Sequence, residues 1–278
     1  MNRRFLFLTL FTVFYSSLCH ITCLPIFADT QLEIRSEIHA KTEAEKPKTL
    51  LRVGTTGDYP PFSHTINQHN YTGIDIQLIR QFANDQGYRL QFIPTSWAQW
   101  VEDLTLNRFD IAVGGISVTH TRKKRVQFAH PIHHDGKKPI AHCSQIQQFD
   151  SLREINRSTV VLLFNAGGTN ETFANKKLKK AQHKVIRDNR NLFKALLSHQ
   201  GDVIVTDGIE AEYQANQNPS LCTGKKPFTK SKKAFALQKS NKHLLKELNK
   251  WIEKQPKTKL FIQSTFVRPR KEPVSSPI

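Results

Sequence analysis

The stretch that decides the fold runs from Leu51 to Gly115. It opens on Leu51-Arg52-Val53-Gly54-Thr55, a β-rich run, followed by Ile74, Leu78, Ile79, Phe82 and Ala83, which share one helical face that stops at Gly87. Arg89 to Pro94 again reads as a strand, Trp97 to Leu106 as a helix, and Asp110 to Val113 as a strand entering Gly114-Gly115. This β-α-β-α-β order predicts a mostly parallel sheet with helices on its faces. The rhythm restarts downstream, with strands at Thr159 to Phe164, Val185 to Arg187 and Asp202 to Thr206. Helices at Glu171 to Ala181, at Asn191 to Leu197 and from about Ile209 alternate with them. After a lysine-rich loop at 223–233, Ala234 to Leu237 reads as a short strand and Leu244 to Ile252 as a helix with Trp251 on its face. Two α/β units in succession predict two lobes with a cleft between them. In open sheets ligands lie beyond the carboxyl ends of the strands, so the loops there are the candidate site.

Composition narrows the partner. The 278 residues carry 41 Lys+Arg against 23 Asp+Glu, a formal charge of +18, which points to an anion: a nucleic acid, an anionic surface or a small molecule. The 18 Phe, 3 Trp and 5 Tyr are spread along the chain and argue against a disordered protein. Only the N-terminus holds a long apolar run, which excludes a polytopic membrane protein. There, Arg3 and Arg4 precede an uncharged stretch from Phe5 to Cys23 and a small residue at Ala28, the pattern of a signal peptide over residues 1–28. The expectation is export to the periplasm with no stable membrane association after cleavage. Residues 29–49 read as a polar leader and 267–278 as a disordered basic tail rich in Pro and Ser. Cys143 and Cys222 remain in the exported chain, where oxidation is favoured, and are predicted to pair in a disulfide. The lysines at 176–180 and 225–233 have little aromatic interleaving and read as solvated surface, so no nucleic-acid partner is expected. His130, His133, His134 and Asp135 lack a zinc-site spacing, and no Walker loop, dinucleotide fingerprint or nucleophile elbow occurs, so no metal or cofactor is expected.

The strand-end loops carry the candidate chemistry. Ser117, Thr119 and Arg122 place two hydroxyls and a guanidinium at a strand-to-helix junction, which suits a carboxylate held bidentately or, equally, an N-cap with a solvated Arg. Gly167-Gly168-Thr169-Asn170 lies between a strand and a helix, where backbone N–H groups can approach an anion or simply form a turn. Lys137 and Lys138 precede Pro139 at the junction of the two units, on the hinge side of the cleft or on open surface. Glu210 follows a strand beside Asp207; desolvated in a closing cleft it is a general acid, and otherwise an ordinary first-turn helical Glu. Trp97, Tyr59 and Phe62 are candidate apolar walls or core.

Together, Leu51 to Phe62, Gly73-Ile74-Asp75, Ser117-x-Thr119-x-x-Arg122 and Thr206-Asp207 resemble the polar amino-acid-binding family of periplasmic solute-binding proteins. That resemblance implies a type II periplasmic-binding-protein-like fold, a hinged α/β clamp with a central cleft. Lobe 1 would be 50–138, lobe 2 139–233, and 234–266 a return to lobe 1. Within the family, Thr55 to Tyr59, Gly136 to Ile140 with Cys143, Ala166 to Glu171 and Thr206 to Ala211 are similar to the cyclohexadienyl dehydratases. This closer resemblance implies conversion of prephenate to phenylpyruvate, or of L-arogenate to L-phenylalanine, with loss of water and CO2. It also implies Glu210 as general acid, Lys137 and Asn170 as essential partners, and a disulfide in the second lobe. Arg122 with Ser117 and Thr119 would hold a substrate carboxylate, and Thr169, Asp207, Asp58, Tyr59 and Trp97 would complete the site. The partner is then a small anionic substrate. A non-catalytic amino-acid-binding component of an importer is the other reading, in which Asp207 would meet a ligand ammonium.

Overall fold

Alternation along the strands builds each half of the molecule. The computed structural model describes residues 49–67 and 70–255. The signal-peptide, leader and tail assignments lie outside those residues. In the second half, Val203 and Val205 face one apolar cluster with Leu162 and Phe164, while Ile204 and Leu163 face another, so successive residues serve opposite faces of one sheet. That sheet has the order β11 (Gln182–Ile186), β10 (Val161–Asn165), β12 (Val203–Asp207), β9 (Lys137–His142), β13 (Leu221–Thr223). β10 is parallel to both β11 and β12, whereas β9 runs antiparallel to β12 and β13.

The first half repeats the plan. Its sheet has the order β5 (Arg89–Pro94), β1 (Leu50–Thr55), β6 (Ile111–Ala112), β15 (Ala236–Leu237), β7 (Gln127–Phe128), with β1 parallel to β5 and β6. Leu51 and Val53 pack with the helix Ile74–Asp85, which buries Ile74, Leu78, Ile79, Phe82 and Ala83 as the spacing predicts. The helix Lys242–Lys254 lies on the same face, placing Leu248 and Trp251 against Phe82. Burial of such side chains contributes about 1.5–3 kcal/mol each. The other face holds Trp100, Leu104, Phe109 and Ala236.

A two-stranded ribbon, β8 (His133–Asp135) with β14 (Ser231–Lys233), carries the chain from the first sheet to the second and back. A small antiparallel sheet of β2 (Asp58–Tyr59), β3 (Ser63–Asn67) and β4 (Asn70–Thr72) follows β1. Cys143, just after β9, is disulfide-bonded to Cys222 in β13.

Several boundaries differ from the sequence reading, each for a local reason. The helix expected over Trp97 to Leu106 is only Trp100–Thr105, because Ser96 O accepts from Gln99 N and Trp100 N and closes a turn first. Trp97 is thereby freed from the helix. The helix expected from Glu171 starts at Thr169 after Gly168, which brings Thr169 and Asn170 into its first turn. β9 begins at Lys137, two residues before the lobe boundary drawn at Pro139. The loop expected over 223–233 ends as the strand β14, and Lys233 in it is 1% exposed rather than solvated.

Candidate active site

The carboxyl end of β12 and the antiparallel register of β9 generate the centre of the site. Asp207 is paired in register with Lys137, so a buried acid and a buried lysine face each other at the mouth of the second sheet. The helix Gly208–Gln217 starts at once and sets Glu210 in its first turn. The helix Thr169–Lys177 points its first turn at the same place. Lys137 Nζ donates to Thr169 Oγ1 at 3.0 Å and to Asn170 Oδ1, and lies 2.9 Å from Asp207 Oδ1 as an ion pair without hydrogen-bond geometry. Asn170 Nδ2 donates to Asn165 Oδ1 (2.9 Å) and Thr206 Oγ1 (3.0 Å), and Thr206 Oγ1 donates to Glu210 Oε2 at 2.5 Å.

The first lobe supplies the opposite wall. Asp75 Oδ2 accepts from Gly114 N (3.1 Å) and Gly115 N (2.7 Å), while His133 lies against its Oδ1, and this clamps the loop that leads to Ser117. Gly115 has φ +69° and Phe62 packs where a Cβ would stand, so a side chain is excluded there. Arg122, in the short helix His120–Lys123, donates from Nη1 to Ser117 O at 2.8 Å, and its guanidinium carbon sits 4.9 Å from the Trp100 ring centroid. Tyr59 stacks on Phe62 at 5.6 Å and meets Trp97 edge-on at 5.1 Å.

Contacts between the lobes close the cleft. Tyr59 OH donates to Asp207 Oδ2 at 2.5 Å, and Asn189 Nδ2 donates to the backbone O of Asp58 at 2.8 Å. Gly167, at φ +79°, lets its loop pass so close to Ala98 that a Cβ would stand 2.9 Å from the Ala98 nitrogen. Tyr59, Trp97, Gly115, Ser117, Arg122, Asn165, Gly168, Thr169, Asn170 and Asp207 enclose a cavity of only ≈ 10 Å³. That is room for about one water, so a ligand reaches these groups only when the lobes part.

Four expected residues do not line the cavity, and one of them, Lys137, stands just behind its wall, bonded to Thr169 and Asn170 and paired with Asp207. Thr119 does not line the cavity: its Oγ1 accepts from Arg122 N at 3.2 Å and caps the short helix. Asp58 lies outside too, its Oδ1 accepting from Trp97 Nε1 at 3.0 Å, so it orients an apolar wall. Glu210 is behind Thr206, between the central cavity and a neighbouring one lined by Asp58, Asn189 and Tyr213. Two residues are given no role in the site by the sequence reading. Thr206 links Asn170 to Glu210, and Lys233 donates to Ser117 Oγ at 2.8 Å and pairs with Asp207 Oδ2. A signal for Lys233 exists: in an extended run Lys233, Phe235 and Leu237 fall on one face, so the lysine goes where the apolar residues go.

Burial and charge divide the two acids. Burial raises Glu210, aided by the negative charge of Asp207 and opposed by the Thr206 hydrogen bond and both lysines, to about 8. Burial would also raise Asp207, but Lys137 and Lys233 outweigh it and hold that carboxyl well below the usual range. Burial lowers Lys137 and pushes Arg122 down to about 10, leaving the guanidinium charged at neutral pH. At neutral pH the site therefore combines a neutral carboxylic acid, an ionised carboxylate and a charged guanidinium. Glu210 Oε2 is held against Thr206 Oγ1, while Oε1 is buried and has no hydrogen-bond partner. Among the described residues no group of three or more His, Cys, Asp or Glu side chains is placed to hold a metal ion, and no helix is long and apolar enough to cross a membrane.

Residues 51–261 match the model of the bacterial extracellular solute-binding proteins, family 3, and the chain belongs to this family. It is 34% identical over 254 residues to the cyclohexadienyl dehydratase of Pseudomonas aeruginosa, covering 91% of each chain. Its fold is similar to the crystal structure of the ancestral amino acid-binding protein AncCDT-1, a precursor of cyclohexadienyl dehydratase. The TM-score is 0.71 at 30% identity, over 81% of this chain and 96% of that one. An ancestral arginine-binding protein bound to arginine superposes with TM-score 0.70 at 25% identity, over 77% of this chain and 97% of that one.

Proposed function

We propose that this chain is a decarboxylating dehydratase that converts prephenate to phenylpyruvate, or L-arogenate to L-phenylalanine. The observation that carries this reading is Glu210: a carboxyl 1% exposed, raised to about 8 and with one oxygen unpartnered. A site that only binds amino acids has no use for such a group. The resemblance to a cyclohexadienyl dehydratase over 91% of the chain supports the same conclusion.

The residues divide the work. Arg122 and Ser117 take the pyruvyl carboxylate, which keeps its charge throughout, and Trp97 and Tyr59 flank the ring. Once the lobes close, Glu210 gives its proton to the departing hydroxyl, whose C–O bond breaks as water leaves. The ring C–C bond to the carboxylate breaks with it, CO2 leaves, and that electron pair completes the aromatic ring. Prephenate dianion and neutral Glu210 thus become phenylpyruvate monoanion, CO2, water and the Glu210 carboxylate, which regains a proton from solvent. Asn170 and Lys137 hold the reacting end in register. Lys137 does not grip the ring carboxylate tightly, because an interaction lost as CO2 departs would oppose the step. The segment 1–28 exports the chain to the periplasm, with cleavage after Ala28.

The test is Glu210→Gln, which keeps shape and a hydrogen-bond acceptor for Thr206 but cannot deliver the proton. Turnover should fall by about 10²–10⁴-fold with KM little changed. A variant that retains the parental rate removes Glu210 from the acid role.

A further inference from the structure

Glu210 gives up a proton in every turnover and must regain one, yet the side on which it meets open space is not the substrate side. It is absent from the wall of the central cavity, from which Thr206 separates it. Its other side lines a second cavity, of ≈ 270 Å³, at the seam of the two lobes. Asp58, Pro60 and His64 reach this cavity from the first lobe, and Asn189 and Phe193 from the second. Along the helix Gly208–Gln217, Glu210, Tyr213, Gln214 and Gln217 are spaced to share the face that lines it. Lys194 and Gln217, both exposed, stand in the same lining, so the cavity communicates with solvent.

Two buried polar atoms of residues on this lining lack a hydrogen-bond partner: Glu210 Oε1 and Asn189 Oδ1, on residues 1% and 5% exposed. Asn189 is fixed by its Nδ2, which donates to Asp58 O across the seam at 2.8 Å, so its oxygen is left as an acceptor. Leaving such atoms unpaired in a dry interior is costly. A water needs about 10–15 Å³ and two or more polar partners, and this cavity supplies the room and both atoms. The central cavity, at ≈ 10 Å³, has no space for a chain of waters once a ligand is in it. Refilling the acid is favourable at neutral pH, because the carboxyl titrates at about 8.

We propose that the seam cavity is the proton-return route of Glu210, in which water bridging Glu210 Oε1 and Asn189 Oδ1 passes a proton from solvent to the carboxylate while the lobes stay closed over the product. An O–H bond of a hydronium ion, or the acidic bond of a protonated buffer, breaks at the cavity mouth. An O–H bond forms on Oε1, and the conjugate base stays in solvent. The terminal torsion of a Glu side chain is broad and two-fold, so half a turn of the carboxyl brings the new proton to the Thr206 side. This rests on the dehydratase reading and gives the two faces of the acid separate tasks, delivery on one and refilling on the other.

The test fills the cavity without touching the acid. Gln214→Trp, one helical turn from Glu210, and Gln217→Trp, at the mouth, are made singly and together, and each is checked for a native circular dichroism spectrum; either single variant provides the reading if the other does not fold. In rapid-quench experiments with prephenate the first turnover uses the proton already on Glu210 and should keep the wild-type rate. Later turnovers in the filled variants should be slower by at least about tenfold, a burst of one product per site that the wild type lacks. Folded variants in which first and later turnovers stay equal, whether fast or slow, would overturn the proposal. A second arm needs no turnover. The carboxylic C=O stretch of Glu210, isolated as the infrared difference between wild type and Glu210→Gln, shifts when its proton is exchanged for deuterium. With the lobes closed on phenylpyruvate or L-phenylalanine, whichever the protein binds, exchange on dilution into D2O should be at least about tenfold slower in the filled variants than in the wild type. Equal exchange rates would overturn the proposal as well. Absence of turnover with prephenate in the wild type would sink the dehydratase reading instead, and the infrared arm would still decide the route.

Discussion

Replacing Glu210 by Gln should make the protein more stable at alkaline pH while it destroys activity. The carboxyl group is held at about 8 in the fold against an ordinary 4.5. Between these values the folded state keeps a proton that the unfolded chain has lost, so stability declines as pH rises through the window and levels off above it. Every tenfold change in proton affinity is worth about 1.4 kcal/mol, so the full window is on the order of 5 kcal/mol. Glutamine at 210 accepts the Thr206 hydrogen bond but does not titrate. Below pH 4.5 the two proteins should therefore differ by a small constant, and by about pH 9 the variant should be the more stable by up to about 5 kcal/mol. Asp207 contributes with the opposite sign: its carboxyl is held low, so its contribution is present above its ordinary 3.8 and is lost only as the solution becomes more acidic. It falls outside the window, and other titrating groups cancel between the two proteins. Urea unfolding of both proteins at closely spaced pH from about 5 to about 9 measures the effect. Parallel stability curves, with a difference that does not change with pH, would refute the claim that Glu210 is neutral in the fold.

The same protonation should govern the rate. With Glu210 as the acid, kcat/KM should be flat toward neutrality and fall about tenfold per pH unit above about 8, a limb read from initial rates across roughly pH 6 to 10. A limb near pH 4.5 alone would contradict it. Arg122→Met should raise KM by roughly 10–100-fold with kcat little altered, because the carboxylate it holds keeps its charge in ground and transition states; a fall confined to kcat would reassign it. Reducing the Cys143–Cys222 bridge, which links residues 79 apart, should cost on the order of 4 kcal/mol in chemical unfolding, and no change on reduction would count against its being formed.

How far the sequence alone reaches can be judged residue by residue. The helix Ile74–Asp85 and the strand Arg89–Pro94 are readable because each combines a strong period with a stop signal, and a period reports which face is buried. Trp97 is misplaced by the complementary logic. Its spacing fits the helix, but the turn set by Ser96 starts the helix three residues later and sends the indole to Tyr59. Lys137, Asn170, Asp207 and Glu210 can be named from loops and resemblance, whereas their linkage cannot, because it depends on the antiparallel register of β9 against β12. Thr119 fits a ligand-binding pattern and a capping pattern equally well, and the backbone geometry chooses the cap. Lys233 is hidden by composition: among so many lysines one more reads as surface, and only strand alternation against Phe235 and Leu237 distinguishes it. The net charge of +18 points to an anion without locating it. Among the described residues Arg122, Lys137 and Lys233 stand at the site, and the remaining charge can at most steer an anion toward the cleft.

The central claim is that this binding-protein fold does chemistry, and it is tested most directly by giving the purified protein prephenate and following phenylpyruvate. Product should form well above the buffer rate, and its formation should fall by about 10²–10⁴-fold in Glu210→Gln. No turnover above buffer, together with tight binding of a free amino acid by the same preparation, would contradict it.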